Sequence, residues 1–502
     1  MNSSASKDRV NMSADDVLNI IHNDPTSIVG EAYLKRWSPE LQAQIDASIE
    51  ANRKVDAHVD LSGLPAGTSV EVEQLDHAFR FGAHIFNFNQ LGSRECNDRY
   101  KDLYGTFFNS ATIAFYWRKF EPEEGKPRFS GKFEDSEAYW NAVQDPKSQP
   151  HWRRPATDPV VEFCEAKKIH MHGHTLVWGS ATWNNPLWIR EKLPLRFRDL
   201  VEEKNGIIPI KAPLFDELSD EQLEQLMPEF ALELNTLMSR RIYEIGLRYK
   251  GRLGSWDVVN ESSGDFRDDQ MVPASGICKS LYGLMPGDYT FRGFKLAESV
   301  FPDSVKLNIN DNNMRPTYRD QIESLKSRGC KIDAVGAQMH LFDPKVCQAI
   351  ADGESDQQSP DQVYEELNRL AETNRPLHLS EITITSPDYS VSGQMVQAIL
   401  ARNLYRLWFS LPSMSAVTWW NVVDDCGAPG EPSLSGLFFR DMTPKAAFHA
   451  LNDLIHNEWK TKLTTEVSEG GCIDFRGFPG RYRIKWTDAQ GVEQSSEVLV
   501  QG

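Results

Sequence analysis

The chain has 502 residues, which is too many for one ordinary core and suits a large domain with appendages. Its 54 basic and 72 acidic side chains give a formal net charge of −18, which argues against nucleic acid or an anionic membrane as a partner. The seven cysteines are scattered and include no Cys-x-x-Cys pair, so they indicate neither a disulfide framework nor a zinc site, and no cofactor is expected.

The amino terminus carries no targeting signal that can be read from its composition. Met1-Asn-Ser-Ser-Ala-Ser-Lys-Asp8 lacks the apolar core of a signal peptide. Two interpretations stay open: an intracellular protein, or one whose leader has been removed, in which case secretion or the periplasm is favoured. No apolar run reaches the length of a transmembrane helix, so we expect no membrane partner.

Two terminal regions flank a long middle region. Residues 1–52 are predicted to form a helical segment, because their apolar positions follow a helical period. In residues 53–77 apolar and polar positions alternate with a period of two, and this pattern predicts a β-hairpin. Residues 457–502 show the same alternation. Neither β segment has enough strands to bury an apolar face alone, so we expect both to form one small accessory β-sandwich. Trp486 suggests a sugar platform there, but a structural cap is an equal alternative.

The middle region, residues 78–456, alternates strand-like and helical patterns. Helices are predicted near 156–167, 228–249, 288–300, 359–373 and 393–410. Eight strands are predicted near 79–86, 110–116, 168–175, 252–258, 304–309, 332–338, 376–381 and 415–420. Eight βα units predict an α/β fold, a TIM (β/α)8 barrel with long loops. A doubly wound open sheet is the alternative, but no glycine-rich phosphate turn opens its first helix.

Two glutamates stand where predicted strands end. Glu261 closes Gly254-Ser-Trp-Asp-Val-Val-Asn-Glu261, and Glu381 closes Pro376-Leu-His-Leu-Ser-Glu381. Two carboxylates at strand ends of one barrel are what acid-assisted glycoside cleavage needs, since one protonates the leaving oxygen and the other attacks the anomeric carbon or activates water. The alternative for each residue is a surface glutamate that closes a strand.

Several short motifs carry a resemblance to a known family. They are Phe108-Asn-Ser-Ala-Thr112 with Trp117 and Glu121-Pro-Glu-Glu-Gly125, Gly173-His-Thr-Leu-Val-Trp178, Trp256-Asp-Val-Val-Asn-Glu261, Gly287-Asp-Tyr289, Asn310-Asp-Asn-Asn313, Gln338-Met-His340, His378-Leu-Ser-Glu381, and Trp420 to Asp424 with Pro444-Lys445. Because these motifs follow one another in the family's order, the region from about 79 to 456 resembles glycoside hydrolase family 10, the endo-β-1,4-xylanases and their relatives.

The resemblance implies a role for each matched residue. Glu261 is expected to be the general acid/base and Glu381 the nucleophile of a retaining mechanism. Asn260 is expected to bond the 2-hydroxyl of the sugar, Gln338 to support Glu261 or its neighbourhood, and His340 to hold Glu381. The sugar site is expected to be walled by His174, Trp178 and Trp420, for which core packing is the alternative.

The chain also departs from the family pattern. The family's Glu-Asn pair and Lys on strand two are absent from Thr112-Ile-Ala-Phe-Tyr-Trp117, and Tyr116 stands in place of the Lys. Gly179 replaces a His and Thr383 an Asp, and Asp425-Cys-Gly-Ala-Pro-Gly430 replaces the second Trp of the last loop. We expect weak activity on plain linear xylan and better activity on a decorated glycan that contacts Tyr116. An insert near 191–226, including Pro209, is expected to add a wall.

One motif admits a metal interpretation. His170-Met-His-Gly-His174 places three imidazoles on one face of a strand, where they are able to converge on an ion. Inward barrel positions are often polar, and His174 already has an expected role, so we predict no metal.

The sequence predicts a retaining, endo-acting β-glycoside hydrolase, with xylan as the default substrate. A hydrolase of a different or decorated β-glycan and a non-catalytic glycan-binding relative remain alternatives. The expected partner is a polysaccharide or oligosaccharide substrate, and we expect a monomer.

Overall fold

The protein is described by a computed structural model that covers residues 9–199, 213–271, 276–281 and 283–502. Its main body is a closed barrel of eight parallel strands, each paired with the next in chain order and the last with the first. The eight barrel strands are Arg80–His84, Ser110–Ala114, His170–Trp178, Ser255–Asn260, Lys306–Asp311, Ala334–Leu341, Leu377–Ile384 and Met414–Trp419. Each falls on a predicted run, so the TIM barrel prediction is confirmed and the open sheet is excluded.

Burial on both faces explains why these segments are strands. Every residue of the second, fourth and seventh barrel strands is buried, because helices cover the outside and side chains fill the inside. Parallel strands end together at one rim of a barrel, and loops from that rim carry the functional residues of such folds. The carboxyl ends of the fourth and seventh strands therefore bring Glu261 and Glu381 to the same rim.

Helices surround the barrel and precede it. Those of the described residues are Ala14–Asn23, Glu31–Arg36, Pro39–Arg53, Arg94–Asp102, Trp117–Phe120, Glu137–Ala142, Thr157–Ala166, Pro213–Asp216, Asp220–Leu226, Pro228–Tyr249, Tyr289–Val300, Pro316–Ser327, Pro344–Asp352, Pro360–Ala371, Val391–Ser410 and Ala446–Asp453. Two short hairpins join Phe266–Arg267 to Gln270–Met271 and Ile277–Ser280 to Gly283–Pro286. No helix in the described ranges combines the length and the apolar character that crossing a bilayer requires.

The amino-terminal helices form a second layer over the barrel. Val391–Ser410 is buried almost throughout, because the barrel covers one side of it and Pro39–Arg53 covers the other. Arg406 of the covered helix pairs with Asp46, and Arg53 donates to the carbonyl of Phe409. Because two layers enclose this helix, its buried polar side chains, such as Arg402 and Arg406, form ion pairs.

The accessory β-sandwich consists of two sheets. One sheet pairs Val55–Asp60 with Cys472–Gly477. The other sheet is antiparallel and has the order Lys462–Glu466, Ser69–Gln74, Gly480–Thr487, Glu493–Val500. Both sheets bury their apolar faces in one cluster that includes Val59, Val72, Phe475 and Ile484. The predicted combination of both terminal β segments in one sandwich is therefore what the structure shows.

The prediction of a hairpin within residues 53–77 is wrong. Val55–Asp60 and Ser69–Gln74 lie in different sheets and do not pair with each other. Residues 61–68 connect them, and this link is longer than the two-residue turn that enforces hairpin pairing. The longer link lets the chain cross from one sheet to the other, so that the two apolar faces pack together.

The sandwich is attached to the amino-terminal end of the barrel. Phe478 is buried and its ring lies 5.4 Å from that of His77 and 6.0 Å from that of Phe409. His77 lies three residues before the start of the first barrel strand at Arg80, and Trp459 stacks on Phe409 with 4.2 Å between ring centroids. The sandwich therefore lies at the end of the barrel opposite to the rim that carries Glu261 and Glu381.

Candidate active site

The two glutamates enter the rim in different ways. Glu261 directly follows the fourth barrel strand and has a φ of 52°, a left-handed value that few non-glycine residues adopt. Its backbone N–H donates to the carbonyl of Asn310 over 2.8 Å, which fixes this turn. Glu381 lies within the seventh strand, which continues three residues beyond it to Ile384, and its side chain is buried.

A chain of side-chain amides links the two carboxylates. The Nδ2 of Asn310 donates to Oε1 of Glu381 over 2.9 Å and to Oδ1 of Asn260 over 2.8 Å. The Nε2 of Gln338 donates to the same Oδ1 of Asn260 over 3.3 Å and to Oε1 of Glu261 over 3.1 Å. Because Oδ1 of Asn260 accepts both bonds, its amide orientation is fixed and both glutamates are tied to one group.

Two histidines flank Glu381. The Nε2 of His174 lies 3.7 Å from Oε1 of Glu381, and the Nε2 of His340 lies 3.5 Å from Oε2. Thr383, which stands where the family pattern has an Asp, hydrogen-bonds Nδ1 of His340 over 2.9 Å. The replacement therefore keeps a partner that orients the imidazole but removes the negative charge.

Asp257 sets the protonation of His174. Its Oδ2 accepts hydrogen bonds from Nε2 of His172 and from Nδ1 of His174, each over 2.8 Å. Burial lowers the pKa of His174. The hydrogen bond to Asp257 and the negative charges of Glu381, Asp257 and Glu261 raise it, and together they outweigh burial, so the pKa of His174 lies above the ordinary value. Burial raises the pKa of Asp257, but the two histidines outweigh this and hold its pKa well below the usual range. The imidazole that faces Glu381 is therefore biased towards its protonated form.

Aromatic side chains border these histidines. Phe86, Tyr116, Trp178 and Trp420, here called the aromatic wall, form one buried cluster with Ala114. The ring of Tyr116 lies 5.3 Å from His174 and 5.7 Å from Trp178, and that of Trp420 lies 5.8 Å from His174 and 6.2 Å from His340. The predicted wall residues therefore adjoin Glu381.

Charged residues back the aromatic wall. Arg153 is buried and pairs with Glu431 over 3.4 Å, and its Nη2 donates to Oδ1 of Asn421 over 2.9 Å. Glu431 also accepts from Nε1 of Trp420 over 3.3 Å. Burial raises the pKa of Glu431, but the charge of Arg153 and the hydrogen bond from Asn421 lower it to about 2. The next residue, Arg154, turns the other way and places its guanidinium carbon 3.8 Å from the centre of the Tyr116 ring.

An open cleft of about 570 Å³ extends from Glu261 away from the aromatic wall. It is formed largely by residues after the fifth and sixth barrel strands and by the amino-terminal half of Pro360–Ala371 with the loop before it. Amide and charged side chains make up most of its lining, including Asn312, Asn313, Gln357 and Arg315. Such a polar trough suits a hydroxyl-rich ligand.

The three alternating histidines do not face one another across an ion site. His170 and His172 both hydrogen-bond Oγ of Ser255, over 3.1 and 2.8 Å, while His172 and His174 share Asp257. Within the described ranges, the groups whose potential ligand atoms lie within 4.8 Å of one another are found elsewhere, at His58 with Cys472 and Asp474 and at His22 with Asp453 and Glu458. Hydrogen bonds within the barrel therefore account for the motif.

The structure brings together every residue predicted for the site. They are Tyr116, His174, Trp178, Asn260, Glu261, Gln338, His340, Glu381 and Trp420. Sequence reasoning did not assign roles to Asn310 or Asp257, although both lie in matched motifs and are polar residues inside apolar strands. No sequence pattern marked Arg153, Arg154 or Glu431 as functional, because all three lie in loops. Pro209, predicted to form a wall, lies outside the described residues.

An eight-stranded barrel with two amide-linked glutamates at its carboxyl rim defines the class of (β/α)8 proteins built like glycoside hydrolases. The family model described as Glycosyl hydrolase family 10 matches residues 132–454. The chain therefore belongs to glycosyl hydrolase family 10, and the resemblance seen in the motifs is confirmed.

Curated relatives and solved structures agree with this assignment. The chain is 26% identical over 337 residues to endo-1,4-beta-xylanase C of Paenibacillus barcinonensis, a match covering 60% of this chain and 27% of the relative. It is 23% identical over 471 residues to anti-sigma-I factor RsgI6 of Acetivibrio thermocellus, covering 93% and 48%. The chain thus spans about a quarter to a half of these relatives' lengths.

Solved structures show the same fold. Xylanase 10B from Thermotoga maritima superposes with a TM-score of 0.51 at 20% identity, covering 76% of this chain and 96% of that one. Xylanase B from Clostridium stercorarium F9 superposes with a TM-score of 0.52 at 21% identity, covering 75% and 97%. These likenesses concern the barrel architecture.

Proposed function

We propose that the protein is a retaining, endo-acting β-glycoside hydrolase that cleaves a xylan-type β-glycan. The observation that carries this proposal is the amide chain from Glu381 through Asn310, Asn260 and Gln338 to Glu261 at one barrel rim. A structural glutamate that merely closes a strand does not need such orienting contacts, and a non-catalytic relative is not expected to keep both carboxylates in one network.

The mechanism follows from the surroundings of each glutamate. Glu381, faced by Nδ2 of Asn310 and by two histidines, is suited to act as an anionic nucleophile. It forms a bond to the anomeric carbon while Glu261 gives its proton to the departing glycosidic oxygen. Glu261 then removes a proton from water, which attacks the same carbon and releases Glu381. The configuration at the anomeric carbon is retained.

The remaining residues bind the sugar in this proposal. Both acceptor contacts of Asn260 are used by Asn310 and Gln338, so its Nδ2 is the group left to donate to the 2-hydroxyl. His174, Trp178 and Trp420 enclose the sugar next to Glu381, and the open cleft beyond Glu261 takes the leaving portion.

Azide rescue tests the assignment. With an aryl β-xyloside, Glu381→Ala is expected to lose about 10⁴-fold or more in kcat, because the covalent step disappears, and added azide is expected to yield a glycosyl azide of inverted configuration. Glu261→Ala is expected to retain more activity on substrates with good leaving groups and to yield the azide with retained configuration. Near wild-type hydrolysis of a natural glycan by either variant would refute the proposal.

The substrate is proposed to be a xylan-type backbone with substituents. Three of the similar proteins above are named xylanases. Xylanase 10B from Thermotoga petrophila RKU-1, with a TM-score of 0.51 at 19% identity, was solved in complex with xylobiose. Our chain lacks the Glu-Asn pair and Lys of the family pattern, and Arg154 covers one face of Tyr116. Where the family pattern has the Glu-Asn pair and Lys, which hydrogen-bond plain sugar hydroxyls, this chain therefore has the Tyr116 ring with the Arg154 cation on it.

A further inference from the structure

Arg154 has an environment unlike that of the arginine next to it. Arg153 has a φ of 58°, and this turn sends the two side chains in different directions. Arg153 enters the buried network behind the aromatic wall. Arg154 is half-buried, and its guanidinium carbon lies over the Tyr116 ring at 3.8 Å and over the Phe86 ring at 5.0 Å from the ring centres. Stacking on an aromatic ring holds a guanidinium in place while its edge N–H groups stay available.

The charges around Arg154 do not balance. Glu431 pairs with Arg153, and its oxygens also accept from Trp420, Asn421 and the backbone of Ala428. Within the described ranges, Arg154 forms no ion pair, and its Nη1 donates to the carbonyl of Arg153 over 2.7 Å. The carboxylate of Glu431 therefore pairs with Arg153, and the positive charge of Arg154 has no ion-pair partner among the described residues. This is unexpected beside the aromatic wall of a chain whose net charge is −18.

The position of Arg154 defines which part of a substrate it meets. Tyr116 stands between Arg154 and His174, and His174 is the residue that lies 3.7 Å from Glu381. Arg154 belongs to the loop after the second barrel strand, while the open cleft beyond Glu261 is formed after the fifth and sixth strands. Strands two and six stand on opposite sides of an eight-stranded barrel, so Arg154 faces the end of the glycan that stays bound to Glu381.

We propose that Arg154 forms an anion-binding subsite that recognises an acidic substituent, a carboxylate or a sulfate ester, on the bound part of a β-glycan. This inference rests on the proposed function. A planar guanidinium offers paired N–H groups that match the two oxygens of a carboxylate or sulfate, and partial burial strengthens such a bond. The family's Glu-Asn pair and Lys are absent from Thr112 to Trp117, at the end of the second strand, and the loop that follows supplies the Arg154 cation.

Matched oligosaccharides test the proposal. We would compare kcat/KM for a β-1,4-xylo-oligosaccharide carrying a uronosyl substituent, the same compound with its carboxylate reduced to an alcohol, and a sulfated analogue. The wild type is expected to favour an anionic substrate over the reduced one by about tenfold or more, since a charge-assisted hydrogen bond is worth about this factor. The preferred anion identifies whether the source is a uronosyl group or a sulfate ester.

Arginine variants isolate the subsite. In Arg154→Gln the ratio of anionic to reduced substrate is expected to fall to about 1, and Arg154→Lys is expected to keep part of it, because the charge remains without the planar fork. Arg94→Gln, which removes an 86% exposed charge elsewhere, is expected to leave the ratio at the wild-type value. A wild-type ratio near 1, or an unchanged ratio in Arg154→Gln, would overturn the inference.

A binding measurement separates this inference from the proposed function. In a Glu381→Gln background, calorimetry with the same three compounds reports the ratio of affinities without turnover. If no compound is hydrolysed by the wild type but the affinity ratio depends on Arg154, the proposed function fails and the subsite stands. If hydrolysis proceeds and neither ratio depends on Arg154, the subsite fails and the proposed function stands.

Discussion

Asp257 is a residue that favours the protonated form of the imidazole beside Glu381. Its carboxylate bonds His174, whose pKa it helps to raise, and His174 lies 3.7 Å from Glu381. Removing the negative charge leaves burial as the leading influence on the imidazole, and burial lowers its pKa. The protonated form of His174 next to Glu381 is then less favoured than in the wild type.

Asp257→Asn is therefore predicted to lower kcat/KM at pH 7 by about 10- to 100-fold and to move the alkaline decline of activity to lower pH. The pH profile of kcat/KM checks this, with Asp98→Asn, an exposed change on a helix, as the control. A profile that keeps its wild-type shape in Asp257→Asn would exclude the role of Asp257.

The hydrogen-bonded pair of Asp257 and His174 also affects the stability of the fold within a defined pH window. The raised pKa of His174 contributes stability that is complete below the ordinary value of 6.5 and is lost as the pH rises through the folded pKa. The lowered pKa of Asp257 contributes stability that is present above 3.8 and is lost as the pH falls through its folded pKa. The difference in Tm between the wild type and Asp257→Asn should thus be largest between about pH 4 and 6.5 and should shrink towards pH 9.

At the level of elements, the sixth barrel strand is shaped to make room for Asn310. A Cβ on Gly336 would lie 2.4 Å from Oδ1 of Asn310 and 3.0 Å from its Cβ, both well inside normal contact distance. Asn310 is also the amide that bonds Glu381 and Asn260. A glycine at 336 therefore permits the close approach of the fifth and sixth strands on which the amide chain depends.

Gly336→Ala is predicted to displace Asn310, to cost about 1–3 kcal/mol of unfolding free energy, and to lower kcat/KM by about tenfold or more. Gly63→Ala is the matched control, because a Cβ there meets nothing within 4 Å. Denaturant unfolding and initial rates measure the two effects. An active, fully stable Gly336→Ala protein would show that the strand tolerates the methyl group without disturbing Asn310.

At the level of the whole molecule, the sandwich and the barrel share a buried junction. Phe478 belongs to the sandwich segment but packs with His77, Phe409 and Trp459 in the barrel core. Burial lowers the pKa of His77 to about 3, so the imidazole in this junction is neutral at ordinary pH. Because these contacts are apolar and buried, the two parts are expected to unfold as one unit.

Phe478→Ala is predicted to lower the free energy of unfolding by about 3–5 kcal/mol and to separate the sandwich from the barrel as two transitions. Leu499→Ala, which changes a 61% exposed side chain of the same sandwich, should have little effect. Calorimetric scans check both variants. A single transition with an unchanged Tm in Phe478→Ala would contradict a cooperative junction.

The sequence by itself determined the barrel and the identity of its two glutamates. A strand that is buried on both faces has a continuous apolar run, and a helix that packs on the barrel repeats its apolar residues with a period of 3.6. The eight barrel strands and several of the longer helices could therefore be predicted from neighbouring residues. Glu261 and Glu381 were recognisable because each ends or interrupts such a run. Only the tertiary structure decided the pairing of Val55–Asp60 with Cys472–Gly477 and the meeting of Arg154 with Tyr116. Contacts between distant segments depend on loop paths and on packing free energy, and neither leaves a pattern in neighbouring residues.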